Sequence, residues 1–251
     1  FTSKYIGIDR AYIEYRPTWL AKNLKLIGGK MPNPLWVTDM IWDEDVNPEG
    51  IALQYEYPLM KDLNLFANLG GFVYNDLFGT TYTNSTIVPA ETSAAYIVEP
   101  QIGLDYKLQE NLSLKGALAY MNVSNLANHP VMNAQGGGPR GNSIYYKIPV
   151  ADSNPYYKYG FDIINPRIQL STKVFDVPLK FIGDYAHNFQ APNHNDAWQL
   201  GSILGEGKKA REWEIGYFFR RVEKDSIMGE LSDSDFGYGV YSTLTSNTAY
   251  S

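Results

Sequence analysis

Asp43, Asp45 and Asn47 stand at alternate positions, with Asp39 and Glu44 beside them. That spacing resembles the opening of a calcium loop, which needs a glycine at its sixth position and a bidentate glutamate at its twelfth. Pro48 and Gln54 occupy those places, so the motif fails. The carboxylates read instead as a loop cluster that binds divalent ions loosely, bridges lipopolysaccharide, or folds inward to charge a pore. His129, His187 and His194 are the only histidines, and none forms a metal-spaced pair. They read as surface-loop residues. No nucleophile elbow accompanies His187, His194 and Asp196, so no enzyme is expected. The run Gly136-Gly137-Gly138-Pro139-Arg140-Gly141 lacks the Lys-Ser/Thr and helix of a phosphate loop. It serves to bend a long loop. No cofactor is called for.

The elements that must position these groups alternate with a period of two. Ile51, Leu53, Tyr55 and Tyr57 interleave with Ala52, Gln54 and Glu56. Tyr96, Val98, Pro100, Ile102, Leu104 and Tyr106 interleave with Glu99, Gln101, Asp105 and Lys107. This is the β-strand signature, at the length that crosses a bilayer when tilted. Strands are expected over 4–16, 21–31, 51–58, 62–74, 95–107, 111–122, 157–173, 178–188, 197–205 and 211–223. Short connections carry turn residues such as Gln109-Glu110-Asn111 and Phe175-Asp176-Val177-Pro178, whereas 32–50, 75–94, 123–156, 189–196 and 224 onward are long. Soluble domains seldom hold so many long loops; outer-membrane barrels do.

Val98-Glu99-Pro100-Gln101-Ile102-Gly103-Leu104 resembles Ile164-Asn165-Pro166-Arg167-Ile168-Gln169-Leu170, so the repeating unit is a hairpin. A proline in each ladder implies a bulge or a lost bond. The change of parity between Phe161-Asp162-Ile163 and Ile164-Asn165-Pro166 also points to a bulge.

Composition fits the same picture. The chain has 251 residues, 44 % of them hydrophobic, and no apolar run long enough for a membrane helix. Cys 0 excludes disulfides and thiolate sites, and the 20 tyrosines with five tryptophans suit membrane–water interfaces. A net charge of −6 argues against nucleic acid.

The fold expected is therefore all-β: a transmembrane, antiparallel, up-and-down β-barrel forming a single domain over 1–251. With long loops outside, both chain ends would lie outside. Bacterial barrels keep both termini in the periplasm and an even strand count. The expectation is a barrel incomplete at both ends, with at least twelve strands and as many as sixteen when whole.

Two blocks carry a family resemblance. The first runs Gly29-Lys30-Met31-Pro32-Asn33-Pro34-Leu35-Trp36 through Thr38-Asp39, Trp42-Asp43-Glu44-Asp45 and Asn47-Pro48-Glu49-Gly50. The second runs Trp213-Glu214-Ile215-Gly216-Tyr217 through Arg220, Val222-Glu223-Lys224-Asp225 and Ser232-Asp233-Ser234-Asp235-Phe236-Gly237. Both resemble the Putative porin family of Gram-negative bacteria. The resemblance implies an outer-membrane channel, with membrane lipid, lipopolysaccharide and small solutes as partners, in a homotrimer.

With the apolar parity on lipid, the lumen face receives Arg10, Tyr12, Glu14, Arg16, Gln54, Glu56, Asn64, Asn68, Tyr74, Glu99, Gln101, Asp105, Lys115, Arg167, Gln169, Lys173, Lys180, Asp184, Glu212, Glu214 and Arg220. Asp9 breaks the pattern by falling on the lipid face. The function expected is passive diffusion of small hydrophilic solutes and ions. Loop 32–50 is the preferred constriction, because Asp39, Asp43, Glu44 and Asp45 could face Arg10, Arg16, Lys115 and Arg167. The rivals are a non-conducting structural barrel, such as a sheath for an electron-transfer or cell-wall partner, an outer-membrane enzyme, and a soluble carbohydrate-binding β-protein.

Overall fold

The computed structural model describes residues 7–75, 81–83, 86–88, 94–131, 140–146, 155–209 and 212–233. The last residues, the glycine run 136–139 and Asp235-Phe236-Gly237 lie outside these.

The strands are β1 (Ala11–Tyr15), β2 (Leu24–Lys30), β3 (Glu49–Met60), β4 (Leu63–Asn75), β5 (Thr81–Thr83), β6 (Thr86–Val88) and β7 (Ala95–Gln109). They continue as β8 (Leu112–Ser124), β9 (Ile144–Tyr146), β10 (Pro155–Tyr157), β11 (Phe161–Val174), β12 (Val177–Asn188), β13 (Asp196–Gly205) and β14 (Glu214–Val222). Ten of them form one antiparallel sheet in the order β1-β2-β3-β4-β7-β8-β11-β12-β13-β14, each paired with its neighbours in sequence. The remaining four make two ribbons, β5–β6 and β9–β10, within long connections that sequence periodicity left unassigned. Among the described residues β1 and β14 do not pair, so the sheet is open there. The described residues contain no helix, an all-β architecture consistent with a β-barrel wall.

Short turns join the strands at one end. Lys61-Asp62, Glu110-Asn111 and Phe175-Asp176 are two-residue hairpin connections. Phe175 and Asp176 both adopt positive φ (49° and 64°), the conformation whose twist matches the flanking strands.

Several expectations need correction. The first strand begins at Ala11 rather than residue 4, so Asp9 precedes it and accepts a hydrogen bond from Asn47 Nδ2 at 2.8 Å instead of facing lipid. Tyr157 belongs to β10, so β11 begins only at Phe161. No bulge interrupts β7 or β11 at the prolines. The ladder skips from Val98↔Asn122 to Gln101↔Ala119, and from Ile164↔His187 to Arg167↔Asp184, with register unchanged. Pro100 and Pro166 cost local bonds but no insertion.

The parity change in β11 has another cause. Phe161, Ile163, Asn165 and Arg167 all point to one face and are buried. That face changes chemistry along its length, apolar near the long loops and polar further in. Ala95, Ile97, Met121, Val123, Phe161, Ile163, Ala186 and Ala197 supply the apolar zone from the strands. Met31, Leu35, Met40, Ile41 and Trp42 meet them from the β2–β3 loop, and Ile227, Met228 and Leu231 from the segment after β14. Each such side chain gains about 1.5–3 kcal/mol from burial. The opposite face carries exposed Leu69, Tyr96, Val98, Ile102, Leu104, Tyr106, Leu118, Ile168, Phe181, Leu200, Tyr217 and Phe219.

Candidate functional site

A belt of polar side chains crosses the covered face, and strand register sets its members level. Gln54 stands opposite Asn68, and Asn68 opposite Gln101. Arg167 stands opposite Asp184, Asp184 opposite Gln199, and Gln199 opposite Arg220. Directly opposite residues share a face, so the pleat alone brings these together. Arg220 Nε donates to Gln199 Oε1 at 2.9 Å, and Asn68 Nδ2 to Gln101 Oε1 at 2.9 Å. Asn165 Nδ2 donates to Asp184 Oδ1 at 2.5 Å.

The 31–48 loop lies along this belt. Gln54 Nε2 donates to the Pro34 carbonyl at 2.5 Å. Gln101 holds Trp36 by both ends of its peptide, accepting from the Trp36 N–H at 2.9 Å and donating to its carbonyl at 2.8 Å. The Thr38 hydroxyl donates to Asp184 Oδ2. Within five residues, Pro34, Trp36 and Thr38 thus touch β3, β7 and β12 in turn. Those strands lie two and three places apart, or ~10 and ~14 Å along a sheet, so the loop crosses a concave face as a chord. It must satisfy its own polar groups there, and the belt amides do so.

Trp36 sits against Phe66, edge-on with centroids 6.1 Å apart, and Trp42 against Phe72 at 5.8 Å. Glycine makes room for both phenylalanine rings. A Cβ on Gly103 would come within 2.3 Å of the Phe66 ring, and one on Gly70 equally close to Phe72. Lys115 Nζ lies 4.5 Å from the Trp36 centroid and the Arg167 guanidinium 4.1 Å. Cation–π attraction therefore pins the loop's indole to the basic wall.

The loop also meets the segment after β14. The Asp43 N–H donates to the Leu231 carbonyl at 2.6 Å and the Asp233 N–H to the Asp39 carbonyl at 2.9 Å. Burial raises the Asp39 carboxyl above the ordinary range, opposed by the fields of Arg220 and Arg167. Several belt atoms remain without a hydrogen bond, namely Arg167 Nε and Nη1, Glu99 Oε2 and Gln199 Nε2. Arg167 is 8 % exposed and Glu99 1 %. Such groups are costly when dry and call for water or solute.

The sequence-predicted residues distribute as follows. Gln54, Glu99, Arg167, Asp184 and Arg220 share the belt or its margin, with Lys115 reaching it through Trp36. Nearer the short turns on the same face, Glu14 pairs with Lys25 at 3.4 Å, Asp105 stands opposite Lys115, and Lys180 pairs with Glu206 at 3.9 Å. Glu56 and Glu214 are exposed there. Arg10 precedes β1 and donates to Asn47 Oδ1 at 2.9 Å; Arg16 follows β1, 3.8 Å from Glu14. Neither joins the belt. Of the loop carboxylates, Asp39 is the one in electrostatic reach of Arg167 and Arg220, although as a residue it is exposed, as Glu44 and Asp45 are. His129, expected on the surface, is buried at 1 % exposure with Nδ1 2.9 Å from the Pro130 carbonyl.

Sequence reasoning missed Trp36, Thr38, Asn165 and Gln199 as contact makers. A signal was present: a wet loop would not carry Leu35, Trp36, Val37, Met40, Ile41 and Trp42 together.

An up-and-down antiparallel wall with a loop laid across its inner face defines a porin-like class. A sequence model of the family described as Putative porin matches residues 1–138, and the chain belongs to that family. The matched span includes the 29–50 block and ends before the block at 213–237. No curated protein and no solved structure matches the chain significantly.

Proposed function

We propose that the chain forms the wall of an outer-membrane porin through which small hydrophilic solutes and ions diffuse passively. One observation carries this reading: a band of exposed apolar side chains backs a polar belt. On β7 the band runs from Tyr96 to Tyr106, both exposed. Ten residue steps at ~3.4 Å, tilted by about 40°, give a height of ~26 Å. That equals the apolar band of an outer-membrane barrel, with an aromatic residue at each margin. A wet sheet face would gain nothing from so many exposed large apolar groups.

Selection then falls to the infolded loop. Asp39 and Asp184 face Arg167 and Arg220, so charge of both signs would meet a passing solute. The belt discriminates by size and by transverse field rather than by net charge. A second reading, a non-conducting partner-binding barrel, draws on the hydrophobic cluster that fills the inner face near the long loops.

Liposome swelling with uncharged sugars of graded size tests the proposal. The intact protein should admit small sugars and exclude larger ones at a sharp limit. Vesicles that remain impermeable to every sugar would favour the partner-binding barrel.

A further inference from the structure

The inner face nearer the short turns carries a second polar group, away from the belt and the loop laid across it. Ser113 on β8 stands directly opposite Ser171 on β11. The same row continues to Lys107 on β7, opposite Ser113, and to Lys180 on β12, opposite Ser171. Directly opposite residues share a face and stand ~5 Å apart. Lys173, two positions beyond Ser171 on the same strand, shares that face at ~7 Å. Two hydroxyls thus lie side by side with a lysine on three sides, each within reach of a four-carbon stem. Lys107 and Lys173 are exposed and both serines are half-buried, so the group opens onto the lumen.

Its hydrogen-bond balance is one-sided. Gln169 Nε2 donates to Ser171 Oγ at 3.0 Å, which leaves the Ser171 hydrogen to point elsewhere. The Ser113 hydroxyl makes no hydrogen bond among the described residues, and the Lys107 and Lys173 ammoniums make no ion pair there. The turn carboxylates Asp62, Glu110 and Asp176 therefore do not neutralise them. The other charges nearby are matched. Glu206 lies 3.9 Å from Lys180 and 3.7 Å from Lys208. Asp105 stands opposite Lys115, whose ammonium lies over the Trp36 and Phe66 rings. A row weighted toward donors and positive charge suits an oxyanion: each serine O–H and lysine N–H meets one oxygen, and the lysines balance its charge.

We propose that Ser113, Ser171, Lys107, Lys173 and Lys180 form a binding site for a small phosphate-class oxyanion, on the lumen side of the wall between the infolded loop and the short turns. The site rests on the channel reading for the way a solute reaches it. It names a solute class that the channel would favour, phosphate and small phosphate monoesters. The paired charges of the belt set the size limit, and the row beyond it retains the anion.

Calorimetric titration of the refolded intact protein with inorganic phosphate tests it without requiring conduction, in uncharged detergent at about 0.15 M sodium chloride. Phosphate and glycerol 3-phosphate should each saturate one site in the millimolar range. Lys107→Gln with Lys173→Gln should weaken phosphate about tenfold. Ser113→Ala with Ser171→Ala should do the same at unchanged charge, which keeps the test alive if the lysine variant does not fold. Lys22→Gln with Lys61→Gln removes two exposed charges from the turns and should change nothing. Phosphatidylglycerol added to the micelles should not compete, because the site faces the lumen; competition would assign the chemistry to a lipid headgroup and overturn the lumen site. No saturable binding up to ~50 mM phosphate, or an equal loss in the Lys22 and Lys61 control, would overturn the proposal as well. Phosphate binding by a protein that admits no sugar would uphold the site and sink the channel reading, and sugar passage without phosphate binding would do the reverse.

Discussion

Replacing Ile102 with arginine tests the face assignment most sharply. Ile102 is 53 % exposed on the apolar face of β7. It lies six residue steps from Tyr96 and four from Tyr106. At ~3.4 Å per step and about 40° of tilt, those are ~16 Å and ~10 Å, so the site falls ~3 Å from the midplane of a ~26 Å band. An arginine there costs about 2–4 kcal/mol, a factor of about 30 to 900 in the unfolding equilibrium. Leu108→Arg sits beyond the tyrosine margin, at the register shift near the end of β7, and should cost about 0–1 kcal/mol. The inner-face control is Asn64→Arg, because Asn64 is exposed and stands opposite Asp105, which can pair with the new charge. Gln101→Arg, which parity alone would call harmless, is unsuitable: Gln101 is buried and holds Trp36. Denaturant unfolding from phospholipid vesicles reads each midpoint at constant slope. If Ile102→Arg and Asn64→Arg cost the same, or Leu108→Arg costs as much as Ile102→Arg, the membrane-facing assignment is wrong.

Three further outcomes are expected. Gln101→Leu removes both bonds to the Trp36 peptide, about 1–3 kcal/mol of loop docking; conductance should rise and loop 31–48 become protease-sensitive, and an unchanged channel would contradict the docking. Asp39→Asn should shift the reversal potential toward anions more than joint neutralisation of Asp43, Glu44 and Asp45, because Asp39 alone among them meets the fields of Arg220 and Arg167; the reverse ranking would restore the outer carboxylates as the selective charges. Burial raises both Asp39 and Glu230 above the ordinary carboxylate range. A carboxyl raised in the folded state binds its proton more tightly there than when unfolded, so loop docking weakens as pH rises through that window. Amide exchange at Asp43 and Asp233, corrected for intrinsic rates, should therefore show more protection near about pH 5 than near about pH 8, and the opposite trend would sink this point.

The wall was legible because its signal is local. Side chains alternate strictly along a strand, so Ile51 to Tyr57 and Tyr96 to Tyr106 declare their face without knowledge of any partner. Ten strands follow from that pattern and from the turn residues between them. The inner belt was legible as a set but not as contacts. Arg167, Asp184 and Gln199 become neighbours only through the register of β11, β12 and β13, which depends on hairpin geometry rather than composition. The change from polar to apolar along the inner face was misread as a bulge, because alternation assumes one solvent per face. Loops that fold inward replace water with Met40, Ile41 and Trp42, and Phe161 and Ile163 are apolar for that reason. The ribbons β5–β6 and β9–β10 escaped because three residues carry too little periodicity to detect.

Single-channel recording of the intact protein in planar bilayers tests the central claim most directly. The account predicts discrete, ohmic steps with weak ion selectivity, since Arg167 and Arg220 face Asp39 and Asp184 across one belt. A folded, inserted protein that passes no current at any voltage would contradict it.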